Sequence, residues 1–252
     1  MKTRFDLAGY RDLVANLLRM GYGVTTFDEC ALPKRGDLLL RHDVDYCLPT
    51  AVKMAGIEAA HDMVSTWFIL VRSPLFNPFG AGERELLRSL RAKGGRIGLQ
   101  FDAGYYPEMS DVTTLEKAAS EEIAALEIAS AGPVVAVSFH KPPPCLRTHE
   151  ALFAGRPHCS EPRFMRDIVY CSDTLAQFSH GEPLDRAHAS DLCAMQLLTH
   201  PIWWSESAEM SGIAKLDALT RRRADAVLDA IEDSVTAFVR STHRPALEGK
   251  PQ

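Results

Sequence analysis

Leu38-Leu39-Leu40-Arg41-His42-Asp43-Val44-Asp45 is a short apolar run that ends abruptly in charged residues. A strand covered on both faces and leaving the core into a polar mouth reads this way, because the charges fall where the backbone meets solvent. The same pattern recurs along the chain. Met63 to Val71 reads as a strand, and Arg96 to Leu99 runs into Gln100-Phe101-Asp102 after a helix from about Glu83 to Lys93 that Gly94-Gly95 closes. Val134 to Val137 runs into Ser138-Phe139-His140-Lys141-Pro142 after a helix over roughly Thr114 to Ala129. Ile168-Val169-Tyr170 runs into Cys171-Ser172-Asp173, and Cys193 to Leu198 runs into Thr199-His200-Pro201. Upstream, Leu13, Leu17 and Leu18 make one stripe of a helix that Gly21 and Gly23 end, before a β-like run from Val24 to Phe27. A last amphipathic helix spans about Ile213 to Ser241.

Six or seven strands alternating with helices argue for a parallel sheet with helices on its faces. An open doubly wound sheet carries this pattern too, but a barrel brings the carboxyl ends of all its strands to one mouth. Asp43, Asp45, Gln100, Asp102, His140, Asp173 and His200 all fall at such ends, so the expected fold is α/β, a (β/α) barrel. No linker, repeat or low-complexity tract divides the chain, so residues 1–252 read as one domain. Within it, 1–37 is a covering segment, 38–204 holds the core motifs, and 205–252 is a C-terminal helix and tail.

The 252 residues are 46% hydrophobic and 24% charged, enough to bury a large core. The net charge of −5 leaves no basic stripe of the kind a phosphate backbone requires, so nucleic acid is not an expected partner. The cluster Arg221-Arg222-Arg223 reads as a solvated helix face. The stretch MKTRFDLAGY lacks an apolar signal core and no run approaches a membrane span, so the expected location is cytoplasmic. Six scattered cysteines without a C-x-x-C read as free thiols. The fingerprints of an α/β-hydrolase, a P-loop NTPase and a dinucleotide enzyme are all missing. The oligomeric state is not legible.

Two carboxylates two residues apart at a strand exit, beside His42, need a cation nearby, because each desolvated charge costs several kcal/mol without a partner. Asp-x-Asp offers hard oxygen ligands and a spare base, so one carboxylate can hold a divalent ion while the other takes a proton from water. The plainer alternative is an ion pair with Arg41 and a helix N-cap at Asp45.

Arg41-His42-Asp43-Val44-Asp45, then Val64-Ser65-Thr66-Trp67-Phe68, then Gly94-Gly95-Arg96-Ile97-Gly98-Leu99-Gln100-Phe101-Asp102, in that order and spacing, resemble the polysaccharide deacetylase family (NodB homology, carbohydrate esterase family four). Ser138-Phe139-His140-Lys141-Pro142 and Leu197-Leu198-Thr199-His200-Pro201 are similar to later motifs of its divergent branches. The resemblance implies a distorted (β/α)7 barrel that removes N- or O-acetyl groups from sugars with a divalent metal ion, zinc first and manganese or magnesium as harder alternatives. It places Asp43 as general base, Asp45 as metal ligand and His200 as the acid for the leaving group, with His140 where the family has the arginine that orients the base. Arg41, His42, Lys141, Asp173 and Trp203 are the expected substrate-binding residues, Trp203 and Trp204 by stacking on a sugar ring.

The family's two metal histidines would fall at Gln100 and Gly104. The expected metal set is therefore Asp45, Asp102, His140 and Gln100, and three outcomes stay open: this altered site, a harder ion on oxygen ligands, or a barrel that has lost metal and catalysis and binds a glycan or a biosynthetic partner. The expected substrate is carbohydrate, a precursor of a surface polysaccharide.

Overall fold

The computed structural model describes residues 2–147 and 149–235. Its strands are β1 (Gly23–Thr25), β2 (Asp37–Val44), β3 (Thr66–Ile69), β4 (Arg96–Phe101), β5 (Val134–Phe139), β6 (Val169–Ser172) and β7 (Met195–Thr199). Its helices are α1 (Leu7–Met20), α2 (Leu48–Ala59), α3 (Ala81–Ala92), α4 (Val112–Ser130), α5 (Pro144–Arg147), α6 (Pro162–Met165), α7 (Pro183–Ala189) and α8 (Gly212–Ser234). The part of the last helix expected beyond residue 235 lies outside the described residues. Among those described, no helix is long and apolar enough to cross a membrane, and all six cysteines are free.

Every strand pairing is parallel, in the order β5-β4-β3-β2-β7-β6, with β1 also on β2. β1 and β3 divide one edge of β2: β1 pairs with Asp37 to Leu39 and β3 with Arg41 to Val44. β7 takes the other edge, opposite Leu38 to His42. Laid flat, this path would be ~24 Å wide at the usual strand spacing. Yet His140, just past β5, and Tyr170 and Ser172 of β6 line the same cavity, so the sheet curls until its two ends face each other. The gap between them is bridged by Pro157 to Cys159. Val137 N–H donates to the Pro157 carbonyl at 2.9 Å, Cys159 N–H donates to the Val137 carbonyl at 3.0 Å, and Gln196 of β7 donates to the Cys159 carbonyl at 3.1 Å. The fold is an open-sided (β/α)7 barrel.

Strand alternation divides β2 between two cores. Leu39 faces inward, with Phe27, Phe68, Ala136, Cys159 and Phe164. Leu38, Leu40 and Val44 face outward, where Leu13, Val14 and Leu17 of α1 and Ala51 and Met54 of α2 join the larger core. Asp6 caps α1 by accepting from Gly9 N–H at 2.6 Å, and Gly21, at φ 105°, ends it in the left-handed conformation that glycine adopts without strain. His42 shares the outward face. Its Nε2 lies 2.8 Å from Glu58 of α2, its Nδ1 is 2.6 Å from the Thr199 hydroxyl, and Trp67 stacks on its ring at 3.8 Å. Tyr10 and Ser65 also donate to Glu58, so this buried carboxylate has partners from α1, β2 and the approach to β3.

Gly98 sits where the β4–β5 register shifts. A Cβ there would lie 2.4 Å from the Phe68 ring and 3.0 Å from the Ala136 carbonyl, both fixed by the inner core. Gly98→Ala is therefore expected to lower stability by about 1–3 kcal/mol through overpacking. Gly56→Ala, on α2 with nothing within 4 Å of the added carbon, is expected to raise it by about 0.4–1 kcal/mol. Urea unfolding midpoints of the two variants, moving in opposite directions, check this account.

Candidate active site

A cavity of about 340 Å³ opens at the carboxyl ends of the strands. Its floor is an ion pair between two residues of β2 that alternation points inward together: Arg41 Nε donates to Asp43 Oδ1 at 2.8 Å and Nη2 to Oδ2 at 2.7 Å. Gln100 of β4 adds a hydrogen bond to Asp43 Oδ2 at 3.1 Å. Arg41 also donates from Nη1 to Gln196 Oε1 at 3.3 Å and lies over the Phe68 ring. Burial works against its charge, but the neighbouring Asp43 carboxylate outweighs that and raises Arg41 above its ordinary pKa. The arginine that orients Asp43 is thus Arg41, two residues before it, and not the residue at position 140.

Two histidine–aspartate pairs stand around this floor. His200 follows β7 and places Nδ1 2.6 Å from Asp173 Oδ1, while its backbone N–H donates to both Asp173 oxygens at 3.0 and 3.1 Å. Trp204 Nε1 donates to Asp173 Oδ2 at 2.9 Å. Burial alone would lower the His200 pKa, but the hydrogen bond and charge of Asp173, with the charges of Asp45 and Asp43, raise it to about 9. At neutral pH His200 is an imidazolium. His140 follows β5 and sets Nδ1 2.8 Å from Asp102 Oδ2, and the other Asp102 oxygen accepts from Gly104 N–H at 2.8 Å. Asp45 is 8% exposed and its Oδ1 has no hydrogen-bond partner. Burial raises its pKa above the usual carboxylate range, with the Asp43 charge acting in the same direction and His200, His140 and the Gln100 amide opposing.

Of the residues singled out in the sequence, Arg41, Asp43, Gln100, His140, Lys141 and His200 line the cavity. Asp45 and Asp102 sit beside it. Asp173 is fully buried behind His200, so it orients the imidazole and does not reach a substrate hydroxyl. His42 is fully buried on the opposite face of β2, and strand parity takes it away from the mouth. Trp203 is 8% exposed, belongs to the outer core, and offers no face to a sugar ring. Ser172, which with Asp173 read as able to position a substrate hydroxyl or to cap a helix, lines the cavity, and so does Tyr170, which the sequence reading missed. Alternation along β6 was the available signal, since residues two apart on a strand share a face.

A protein-held zinc ion needs three or four converging donors. Among the described residues, no three His, Cys, Asp or Glu side chains come together to share one. Asp102 is committed to His140 and Gly104, Asp43 to Arg41 and Gln100, and His200 carries a proton at neutral pH. Asp45 Oδ1 and Gln100 Oε1 are buried oxygens without partners, but two oxygens beside a fixed guanidinium do not make a zinc centre. The expected set of Asp45, Asp102, His140 and Gln100 is not assembled.

No family model matches the sequence, and no curated protein matches it. Among solved structures, the chain is similar to a CE4 family pseudoenzyme from Bacillus anthracis, at 12% identity and a TM-score of 0.42 over 77% of this chain and 62% of that one. It is similar to a family 4 carbohydrate esterase from Bacillus anthracis, at 15% identity and a TM-score of 0.40 over 83% and 86% of the two chains. It is also similar to a deacetylase solved with substrate, at 16% identity and a TM-score of 0.36 over 73% and 81%. The chain thus spans less than two thirds of the pseudoenzyme.

Because the folded pKa of His200 is raised, its protonation stabilises the fold fully below about 6.5, and that contribution is lost as pH rises through about 9. Asp173→Asn is expected to bring the His200 midpoint down, because the two largest influences that raise it go with the Asp173 carboxylate while burial and the charges of Asp45 and Asp43 remain. A histidine-detected NMR titration of wild type and variant reads this directly, and an unchanged midpoint contradicts the assignment.

Proposed function

We propose that this chain is a hydrolase that removes an acyl group, acetyl in the simplest case, from a sugar amide or ester. The observation that carries the reading is the division of acid and base at one mouth: Asp45 is a buried carboxylate of raised pKa with an oxygen left unpartnered, and His200 is an imidazolium held by Asp173. A carboxylate and an imidazole whose pKa values are both shifted by one pocket are a frequent mark of acid–base work. Asp43, expected as the base, is held by Arg41 through both oxygens, and this commitment moves the base role to Asp45.

In this scheme Asp45 takes a proton from water as the water oxygen bonds to the acyl carbon. Lys141 lines the cavity and has no carboxylate partner among the described residues, so its ammonium is available to the oxyanion that forms. Collapse breaks the bond to the sugar nitrogen or oxygen. His200 gives that atom its proton, and the acyl group leaves as the free acid. The steps balance without a resident metal.

A second reading has its own observation. Gln100 and Arg41 together satisfy Asp43, as they would in a barrel that keeps a polar mouth only to bind a glycan. Acetate release from N-acetyl and O-acetyl sugars separates the two. The hydrolase reading expects Asp45→Asn and His200→Gln each to lower kcat/KM by about 10²-fold or more. It also expects a bell-shaped pH profile whose alkaline limb lies near 9, and activity that survives a chelator. Sugar binding with no acetate release leaves the binder.

A further inference from the structure

A second cavity, of about 400 Å³, adjoins the acid–base mouth and shares Pro142, Ser160 and Met165 with it. Its charged lining is mostly basic. Arg147, His149 and Arg166 line it against one acid, Glu150, in a chain whose net charge is −5. We infer that this cleft is a subsite for an anionic group, phosphate or carboxylate, carried by the sugar whose acyl group enters the mouth; the inference deepens the proposed function and rests on it for the placing of that acyl group.

The two arginines are arranged differently, and both are available. Arg147 donates from Nε to the Pro142 carbonyl at 2.9 Å. That bond fixes the plane of the guanidinium while its two terminal nitrogens keep no protein acceptor among the described residues. A fork held in this way matches two oxygens of a phosphate or carboxylate. Arg166 pairs with Glu150 at 3.0 Å, but the side chains are 71% and 63% exposed. An ion pair that open to water contributes little, so a ligand anion displaces Glu150 at small cost.

The arrangement also sets a direction. The cleft opens to one side of the mouth, so an anionic group held by its arginines fixes which way round the sugar binds. That polarity is a specificity device: it selects charged sugars and turns the acyl group towards Asp45 and His200.

The test uses probes without an acyl group, so that turnover plays no part: methyl glucoside, glucuronic acid and glucose 1-phosphate, titrated calorimetrically into the full chain. The two anions are expected to bind at least about tenfold more tightly than methyl glucoside, with the preference shrinking as salt is raised. The stronger of the two identifies the anion as carboxylate or phosphate. Arg147→Gln and Arg166→Gln should each cut anion binding severalfold, leave methyl glucoside binding unchanged, and keep the thermal midpoint of the wild type. Equal binding of all three probes, or variants that weaken all three alike, overturns the inference. Should a variant fail to fold, a wild-type preference indifferent to salt overturns it as well. Acetate release without anion preference sinks this inference and leaves the hydrolase standing; anion preference without acetate release does the reverse.

Discussion

The buried ion pair between Arg41 and Asp43 is the constraint around which the mouth is organised. Both groups come from one strand, two residues apart, and both are more than nine-tenths buried. A carboxylate in that position without its guanidinium would cost about 3–5 kcal/mol, so neither is free to change alone. Gln100 of β4 and Gln196 of β7 complete the hydrogen bonding from the two flanking directions. The pair thereby ties together strands on either side of β2 and keeps the barrel curled at the end where chemistry would occur.

The same pleat that sends Arg41 and Asp43 inward sends His42 outward to Glu58, Tyr10 and Thr199. β2 is therefore gripped on both faces by polar networks, one at the mouth and one under α1 and α2. Slipping it by a single residue would place His42 in the cavity and Asp43 against the helices, stranding charges on both sides. This is why so short a run of charged residues can fix a register.

Much of the fold was legible because each strand is a compact apolar run ending in polar groups, and a barrel is what brings those ends together. The gathering of Asp43, Gln100, His140 and His200 followed from their places at strand ends. What the sequence did not show was direction and partnership. His42 stands beside two acids in the chain, and only the parity of the pleat separates it from them. Trp203 looks like a stacking platform, but the turn after β7 folds it into the outer core. Asp173 reads as a residue that could meet a substrate, yet Trp204 and the backbone of His200 enclose it. The metal set was inferred from residue types at matching positions. Whether three donors converge depends on what each one already holds, and that information is absent from spacing.

A cation carried on the chain differs from a bound ion in what it asks of its neighbours. A divalent metal gathers several ligands and leaves a coordination position open, whereas a guanidinium fork commits both oxygens of one carboxylate in its own plane. With Arg41 in that place, Asp43 is committed to its ion pair, and Asp45, just past the end of β2, is the carboxylate left without a full set of partners. Burial makes that carboxylate more basic, and His200 opposes the shift from within the same mouth. A single arginine two residues upstream of Asp43 thus rigidifies the site, and under the proposed scheme it is also what leaves Asp45 as the carboxylate to accept a proton.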